Sequence, residues 1–426
     1  VYRNPDLEAC GCVALHLAFL IFMYLLPVVL LILASKDFLQ PASPSHVGSN
    51  GAKGEILSIL IPVRNGESTI GYTLQSAVEL SFAGRKEIIV VDDGSTDRTV
   101  QICRSWRVDK IVYEHAEGNK KDTPRGKAWA LNRGLRECSG SLILVLDADT
   151  TVPPDLIKDV SPLLSDTRVG GVSFPVVAEE PRNLIQSLQN IEYAMMATMK
   201  RACNTLGTTL AMSGCAMLLK RGVLEAIGGF PDGLTEDVEL SLRMIEKGFT
   251  LAYCGSFSSA VRTRTPSELR SLLVQKYRWM SGSFESYLRH LRLLFSIPSG
   301  WLVIWSYFVY AFCILGFLVH RSLAFLAPLI GIFLGTKVSP FTGIILLLAR
   351  LTLPSESFRF IVPGVSLVYA QYIVGSNQSQ GRKIQLRESL LLAPYVLFYL
   401  PMLFAVTCAG IIGAVARRTR AKTSKR

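Results

Sequence analysis

Ile56-Leu57-Ser58-Ile59-Leu60-Ile61-Pro62 is one short apolar run; Glu87-Ile88-Ile89-Val90-Val91, leading into Asp92-Asp93-Gly94-Ser95, is a second; Leu142-Ile143-Leu144-Val145-Leu146, leading into Asp147-Ala148-Asp149, is a third. Runs of this length, rich in Ile and Val and bounded by turn residues, read as buried strands. Lys110 to Tyr113 reads as a further short strand. Helical spacing lies between them. Ser68 is placed to cap a helix carrying Ile70, Leu74 and Val78, Asp97 to cap the next, and Gly126 to Glu137 reads as a third helix. Strands interleaved with helices predict a parallel sheet covered on both faces. In such sheets ligands bind beyond the carboxyl ends of the strands. Asp and Gly make turns for their own reasons, but two acidic strand ends in one sheet favour a cation or nucleotide site.

The rest of the 426-residue chain is long enough for this soluble unit plus a membrane part. Half of the residues are hydrophobic, concentrated near the N-terminus and in the C-terminal third. Val13 to Ala34 carries no charge and has the length of a membrane-spanning helix. A signal peptide is the alternative; Asp6 and Glu8 on its flank and the lack of a small-residue cleavage site argue for an uncleaved helix. Gln40 to Gly54, rich in Pro, Ser and Gly, reads as a linker. Trp301 to Val319, Leu323 to Ala349, Phe358 to Gly375 and Leu390 to Ala416 are further spanning candidates, and Ser286 to Phe295 reads as amphipathic and interfacial. The chain therefore divides into an N-terminal helix and linker (1–54), a soluble unit (55–283) and a membrane region (284–426).

The net charge of +12 invites a nucleic-acid partner, yet six of the last ten residues are basic, as expected of a cytoplasmic tail after a membrane helix. No zinc-finger or RNA-binding motif accompanies the charge, so no nucleic acid is expected. Four C-terminal crossings would place Arg382, Lys383 and Arg387 on the far side, against the positive-inside rule, so the number of crossings stays open. Nine cysteines without a CxxC pair read as free thiols. Met195, Met196 and Met199 read as ordinary helix packing, and Asn377-Gln378-Ser379 is a formal glycosylation sequon.

Motifs in order along the chain carry a resemblance. Ile61-Pro62-Val63-Arg64-Asn65-Gly66-Glu67, Val91 to Asp97, Asp147-Ala148-Asp149 (DxD), Thr235-Glu236-Asp237 (TED) and Gln275-Lys276-Tyr277-Arg278-Trp279 (QxxRW) together resemble family-two glycosyltransferases of the GT-A fold. Among these the set is similar to membrane-bound synthases of cellulose, chitin and hyaluronan, and to ceramide glucosyltransferase. The resemblance covers roughly Leu57 to Ser283 and implies an α/β, Rossmann-like mixed sheet with membrane helices on both sides. It also implies a multi-pass membrane protein whose catalytic domain faces the cytoplasm and moves a sugar from a nucleotide sugar, foremost a UDP-sugar, to a glycan or lipid acceptor.

The chemistry suits those residue types. Asp147 and Asp149 are two apart, so on a regular strand both point to one face. Two carboxylates there suit Mg2+ or Mn2+, which prefer hard oxygen ligands and stabilise a departing diphosphate. By resemblance Asp149 is the main ligand and Asp147 contacts the metal shell or ribose. Asp92 and Asp93 resemble the carboxylates that hold uracil and ribose, with Pro62 and Arg64 near the same pocket. Lys127 and Asn132 resemble the family's GK-x3-LN segment, Lys127 countering diphosphate charge. Asp237 is by resemblance the general base, with Glu236 beside it; a helix from Thr235 to Lys247 would also favour both acids at its positive end. Gln275, Arg278 and Trp279, at i, i+3 and i+4, share one helix face: Arg278 for the diphosphate, Trp279 and Gln275 for the acceptor. A helix opening at Pro266-Ser267-Glu268 carries them, with Ser267 as its cap. Single transfer and processive synthesis both fit. The rival classes are a non-catalytic membrane receptor or scaffold that binds a nucleotide sugar, and a transporter.

Overall fold

The computed structural model describes residues 55–113, 125–305 and 390–423, with isolated positions 29, 32, 33, 307 and 372. Most of Val13 to Ala34, the linker before residue 55, the basic loop before Arg125, the spanning candidates between 308 and 389 and the sequon lie outside the described residues.

The elements alternate as the apolar runs require: β1 (Ile56–Val63), α1 (Ile70–Glu79), β2 (Arg85–Asp92), α2 (Thr99–Arg104), β3 (Lys110–Tyr113), α3 (Lys127–Leu135) and β4 (Leu142–Leu146). Next come β5 (Thr150–Thr151), α4 (Leu156–Leu164), β6 (Val169–Ser173), β7 (Val176–Ala178), α5 (Leu184–Thr205), β8 (Ala216–Lys220) and α6 (Arg221–Ile227). The last part holds α7 (Glu236–Glu246), β9 (Thr250–Tyr253), β10 (Val261–Thr263), α8 (Leu269–Arg289), α9 (Leu291–Ser296) and α10 (Leu400–Thr423). A seven-stranded sheet runs β3-β2-β1-β4-β8-β6-β9, and a small one runs β5-β10-β7.

Each central strand is apolar on both faces because both faces are covered. Successive side chains point to opposite sides: Ile59, Ile61, Val90 and Leu144 enter one core, while Leu60, Ile89, Val91, Ile143 and Val145 enter the other. β1 pairs in parallel with β2 and β4, and β2 with β3. β8 departs from the parallel pairing that the strand–helix alternation predicts and runs antiparallel to both β4 and β6, giving the mixed sheet that the family resemblance implies. Pro62 is tolerated in a central strand because the β1–β4 ladder ends at Leu60.

Two helix starts also differ from expectation. Ser68 does not cap α1, whose N-cap is Thr69, and α8 begins after Glu268 rather than with a Ser267 cap; neither N-cap makes a side-chain hydrogen bond. Asp97 does act at its helix start, accepting from the Thr99 amide at 3.0 Å. α3 lies unusually low on the sheet: a Cβ at Gly134 would fall 2.3 Å from Leu60 Cδ1 and 2.6 Å from Val91 Cγ2.

The amphipathic stretch from Ser286 is not one helix. α8 runs to Arg289, His290 breaks it, and α9 follows. A C-terminal helix enters through Leu392–Pro394 and a π-helical turn, Tyr395–Tyr399, and continues as α10, packed along α8. Its stretch Leu392–Thr419 is the only helix among the described residues long and apolar enough to cross a membrane.

Candidate active site

The carboxyl ends of β1, β2 and β4 open on one side of the sheet, and β1 is the switch strand between neighbours reached in opposite directions. That is where α/β folds bind ligands. The loop after β1 is clamped to the loop after β2: Asn65, in the left-handed region at φ 50°, accepts from the Thr96 amide at 2.8 Å, and the Gly66 amide donates to Thr99 at 2.8 Å.

A cleft of ≈ 320 Å³ lies over this edge, and its lining includes Lys127, Asp147, Asp149, Glu236, Asp237, Gln275, Arg278 and Trp279. These residues come from β4, α3, α7 and α8, so the fold brings together groups far apart in the chain. Pro62, Arg64, Asp92, Asp93 and Asn132 are not among its lining residues. Asp92 and Asp93 are buried at 4% and 6% exposure. Asp92 accepts from the Ser95 amide, and Asp93 accepts from the amides of Arg125 and Gly126 at 3.0 and 2.9 Å. Asp93 thereby fixes the backbone ahead of Lys127. Arg64 is exposed beyond β1. Asn132 lies on α3 and clasps one peptide, donating to the Phe230 carbonyl at 2.7 Å and accepting from the Phe230 amide at 2.8 Å.

Charge sets the character of the cleft. The Lys127 ammonium lies 2.7 Å from Asp147 Oδ1 and 2.8 Å from Glu236 Oε1, and donates to the Gly214 carbonyl at 2.9 Å. Burial alone would lower its pKa, but Asp147, Glu236 and Asp237 outweigh burial and hold it well above the usual lysine range. Asp237 is fixed through its whole peptide unit and side chain. The Gly214 amide donates to Oδ2 at 2.8 Å, the Val238 amide to Oδ1 at 2.9 Å, and Ser241 Oγ to its carbonyl at 2.6 Å. Burial first, and neighbouring Glu236 second, push its carboxyl up to about 6. Gly214 has to be glycine for this contact: a Cβ there would lie 2.8 Å from Asp237 Oδ2.

Asp149 has few protein partners. Thr150 and Thr263 hydroxyls stand at 3.4 Å, and burial followed by the Asp147 charge pushes its carboxyl up to about 6. A desolvated carboxylate beside a second one, with lone pairs to spare, fits a divalent cation. Among the described residues no group of three or more His, Cys, Asp or Glu could hold a metal. A cation here would need substrate phosphates and water to complete its shell, as Mg2+ commonly does.

One face of α5 was missed in the sequence. Tyr193, Met196, Ala197 and Lys200 all line the cleft, at helical spacing i, i+3, i+4 and i+7. Met196 is therefore part of the cleft wall rather than packing alone. Lys200 donates to the hydroxyls of Ser213 and Ser173 and has no carboxylate within salt-bridge range among the described residues. Burial lowers it to about 8, against the opposing pull of Cys215 and Asp237. The available signal was a lysine on an otherwise apolar helical stripe.

With this geometry in view, the comparisons are specific. The profile of the family described as glycosyltransferase like family 2 matches residues 54–282, more than half of the chain, and the chain belongs to that family. It is similar to β-monoglucosyldiacylglycerol synthase of Synechocystis sp., 28% identical over 250 residues, 57% of this chain and 51% of the relative. Poly-β-1,6-N-acetyl-D-glucosamine synthase of Staphylococcus aureus is 28% identical over 239 residues, 55% of this chain and 56% of that one. The chain spans about half the length of the curated relatives it matches. Among solved structures, the mannosyltransferase PcManGT of Pyrobaculum calidifontis, in complex with GDP-Man and Mn2+, matches with a TM-score of 0.54 at 19% identity. That match covers 91% of this chain and 99% of the other. At this identity the likeness establishes the fold, a mixed α/β sheet of the GT-A type.

Proposed function

We propose that the protein transfers a sugar, with inversion, from a nucleotide sugar to a lipid or glycan acceptor at a membrane surface. The observation that carries this reading is the single cleft shared by Asp149, Lys127 and Asp237. Asp237 accepts the proton of the acceptor hydroxyl as that oxygen bonds to the anomeric carbon. The bond from that carbon to the diphosphate breaks, and its electron pair leaves on the phosphate oxygen. The amides of Gly214 and Val238 hold the carboxylate in place, and an ionised carboxylate still has lone pairs left to receive the proton. Asp149 and Asp147 would hold a divalent cation, which would supply Lewis-acid stabilisation of the leaving diphosphate.

Arg278 is exposed at the cleft and positioned for diphosphate charge. Gln275 Oε1 is buried with no hydrogen-bond partner, which an acceptor hydroxyl would satisfy. Trp279 offers the acceptor a ring. Asp92, Asp93, Pro62 and Arg64 form the nucleoside side. Asn132 serves that side indirectly, through its clasp on Phe230. The apolar Leu392–Thr419 helix supports membrane attachment, with the unit 55–283 on the cytoplasmic face and further spans in 1–54 and 284–426.

The test is sugar transfer by purified protein with Mn2+, offering UDP-glucose, UDP-N-acetylglucosamine and GDP-mannose, with dioleoylglycerol vesicles or N-acetylglucosamine oligomers as acceptor. Product mass separates single transfer from polymer synthesis. Full activity in both Asp149→Ala and Asp237→Asn defeats the assignment. Nucleotide-sugar binding without any transfer favours a non-catalytic receptor.

A further inference from the structure

Lysine side chains are almost never fully buried unless paired. Lys276, inside the Gln275-to-Trp279 motif on α8, has a side chain at 0% exposure. Its Nζ lies 2.7 Å from Glu192 Oε2 on α5, and Tyr399 Oη, in the π-helical turn before α10, donates to the same oxygen at 2.7 Å. The ammonium also stands 4.2 Å from the centroid of the Trp279 ring and 5.7 Å from that of Tyr193. Both rings line the cleft, whereas Lys276, Glu192 and Tyr399 do not. The cation therefore sits behind the aromatic wall. Stability does not explain it, since apolar residues of similar volume commonly replace a buried ion pair at no loss. Attraction between a desolvated cation and the negative face of an indole does.

We propose that Lys276 is a positioning residue for the acceptor. Its ammonium, paired with the Glu192 carboxylate that Tyr399 in turn hydrogen-bonds, holds the Trp279 ring in one orientation and ties that orientation to the apolar C-terminal helix. The proposal rests on the sugar-transfer reading of the cleft. Without the cation the ring gains freedom that the acceptor must remove on binding, so the loss falls on acceptor affinity and leaves the donor side alone.

The test uses the full chain and whichever of dioleoylglycerol vesicles or N-acetylglucosamine oligomers the wild type glycosylates. The paired variant Glu192→Leu with Lys276→Met, made in a Tyr399→Phe background, removes both charges together and leaves neither a charge nor the Tyr399 hydroxyl stranded in the interior. The expected result is an acceptor KM raised roughly ten- to thirtyfold, the worth of one desolvated cation–π contact, with donor KM and thermal midpoint held. Tyr399→Phe, which removes one hydrogen bond from Glu192, raises acceptor KM by roughly two- to threefold. An unchanged acceptor KM in the paired variant overturns the proposal. So does a parallel loss of UDP binding and thermal midpoint, which would make the pair merely structural. A wild type that transfers no sugar to either acceptor defeats the transfer reading itself, before any variant is compared.

Discussion

The two halves of the large sheet hold their functional groups in different ways. On the β1–β4 side, Asp92, Asp93, Asp147 and Asp149 stand at or just past strand ends, and backbone amides fix Asp92 and Asp93. On the other side the groups ride on helices: Asp237 at the start of α7, Gln275, Arg278 and Trp279 on α8, and Lys200 on α5. A strand end in a parallel sheet is held by its neighbours on both sides. A helix is held by what it packs on, and α8 packs on the long apolar helix α10. The contrast teaches that the proposed donor side is built into the sheet, whereas the proposed acceptor side depends on helix packing.

The largest test of that division is Asp237→Asn. It keeps the shape of the side chain and removes the proposed base, and is expected to lower kcat by about 10²–10⁴-fold with donor KM unchanged, read by steady-state kinetics. An equal rise in donor KM would blur the two sides.

pH comes next. With the base at about 6, kcat is expected to fall about tenfold for each unit below that value. Stability moves the other way. The folded pKa of Asp237 lies above its ordinary 3.8, so its contribution to stability is full below pH 4 and is lost as pH rises through 6. Thermal midpoints of wild type and Asp237→Asn across pH 4 to 7 should therefore converge on acidification.

Lys127→Met strands Asp147 and Glu236 without their cation. The salt bridges are partly solvated, so the expected loss is about 1–3 kcal/mol in denaturant unfolding, together with a raised donor KM.

The smallest effect sharpens the comparison most. Asn132→Ala unpairs the Phe230 peptide and is expected to cost about 1–2 kcal/mol while donor KM stays within twofold in the surviving fold. A large rise in donor KM would return Asn132 to direct nucleotide contact.

Much of the strand edge below the cleft was legible because it is written locally. Unbroken apolar runs, buried on both faces, mark β1, β2 and β4, and the carboxylates follow directly at their ends. The direction of β8 was not legible: Ala216 to Lys220 is apolar, and an apolar run has no preferred orientation in its pattern. Lys200 and Lys276 were missed for a different reason. A lysine in sequence reads as solvated, and only tertiary packing puts one ammonium against Ser213 and the other against Glu192. Ser68 and Ser267 carried the chemistry of a cap, yet the chain turns one residue later at each place.

The bare Cα of Gly134 has a consequence at the far end of its helix. Two turns earlier on the same rod sits Lys127, so the thickness of one methyl group between rod and sheet would be passed on as a displacement of positive charge over the cleft. The reach of that ammonium is set by a residue that touches no ligand and carries no side chain.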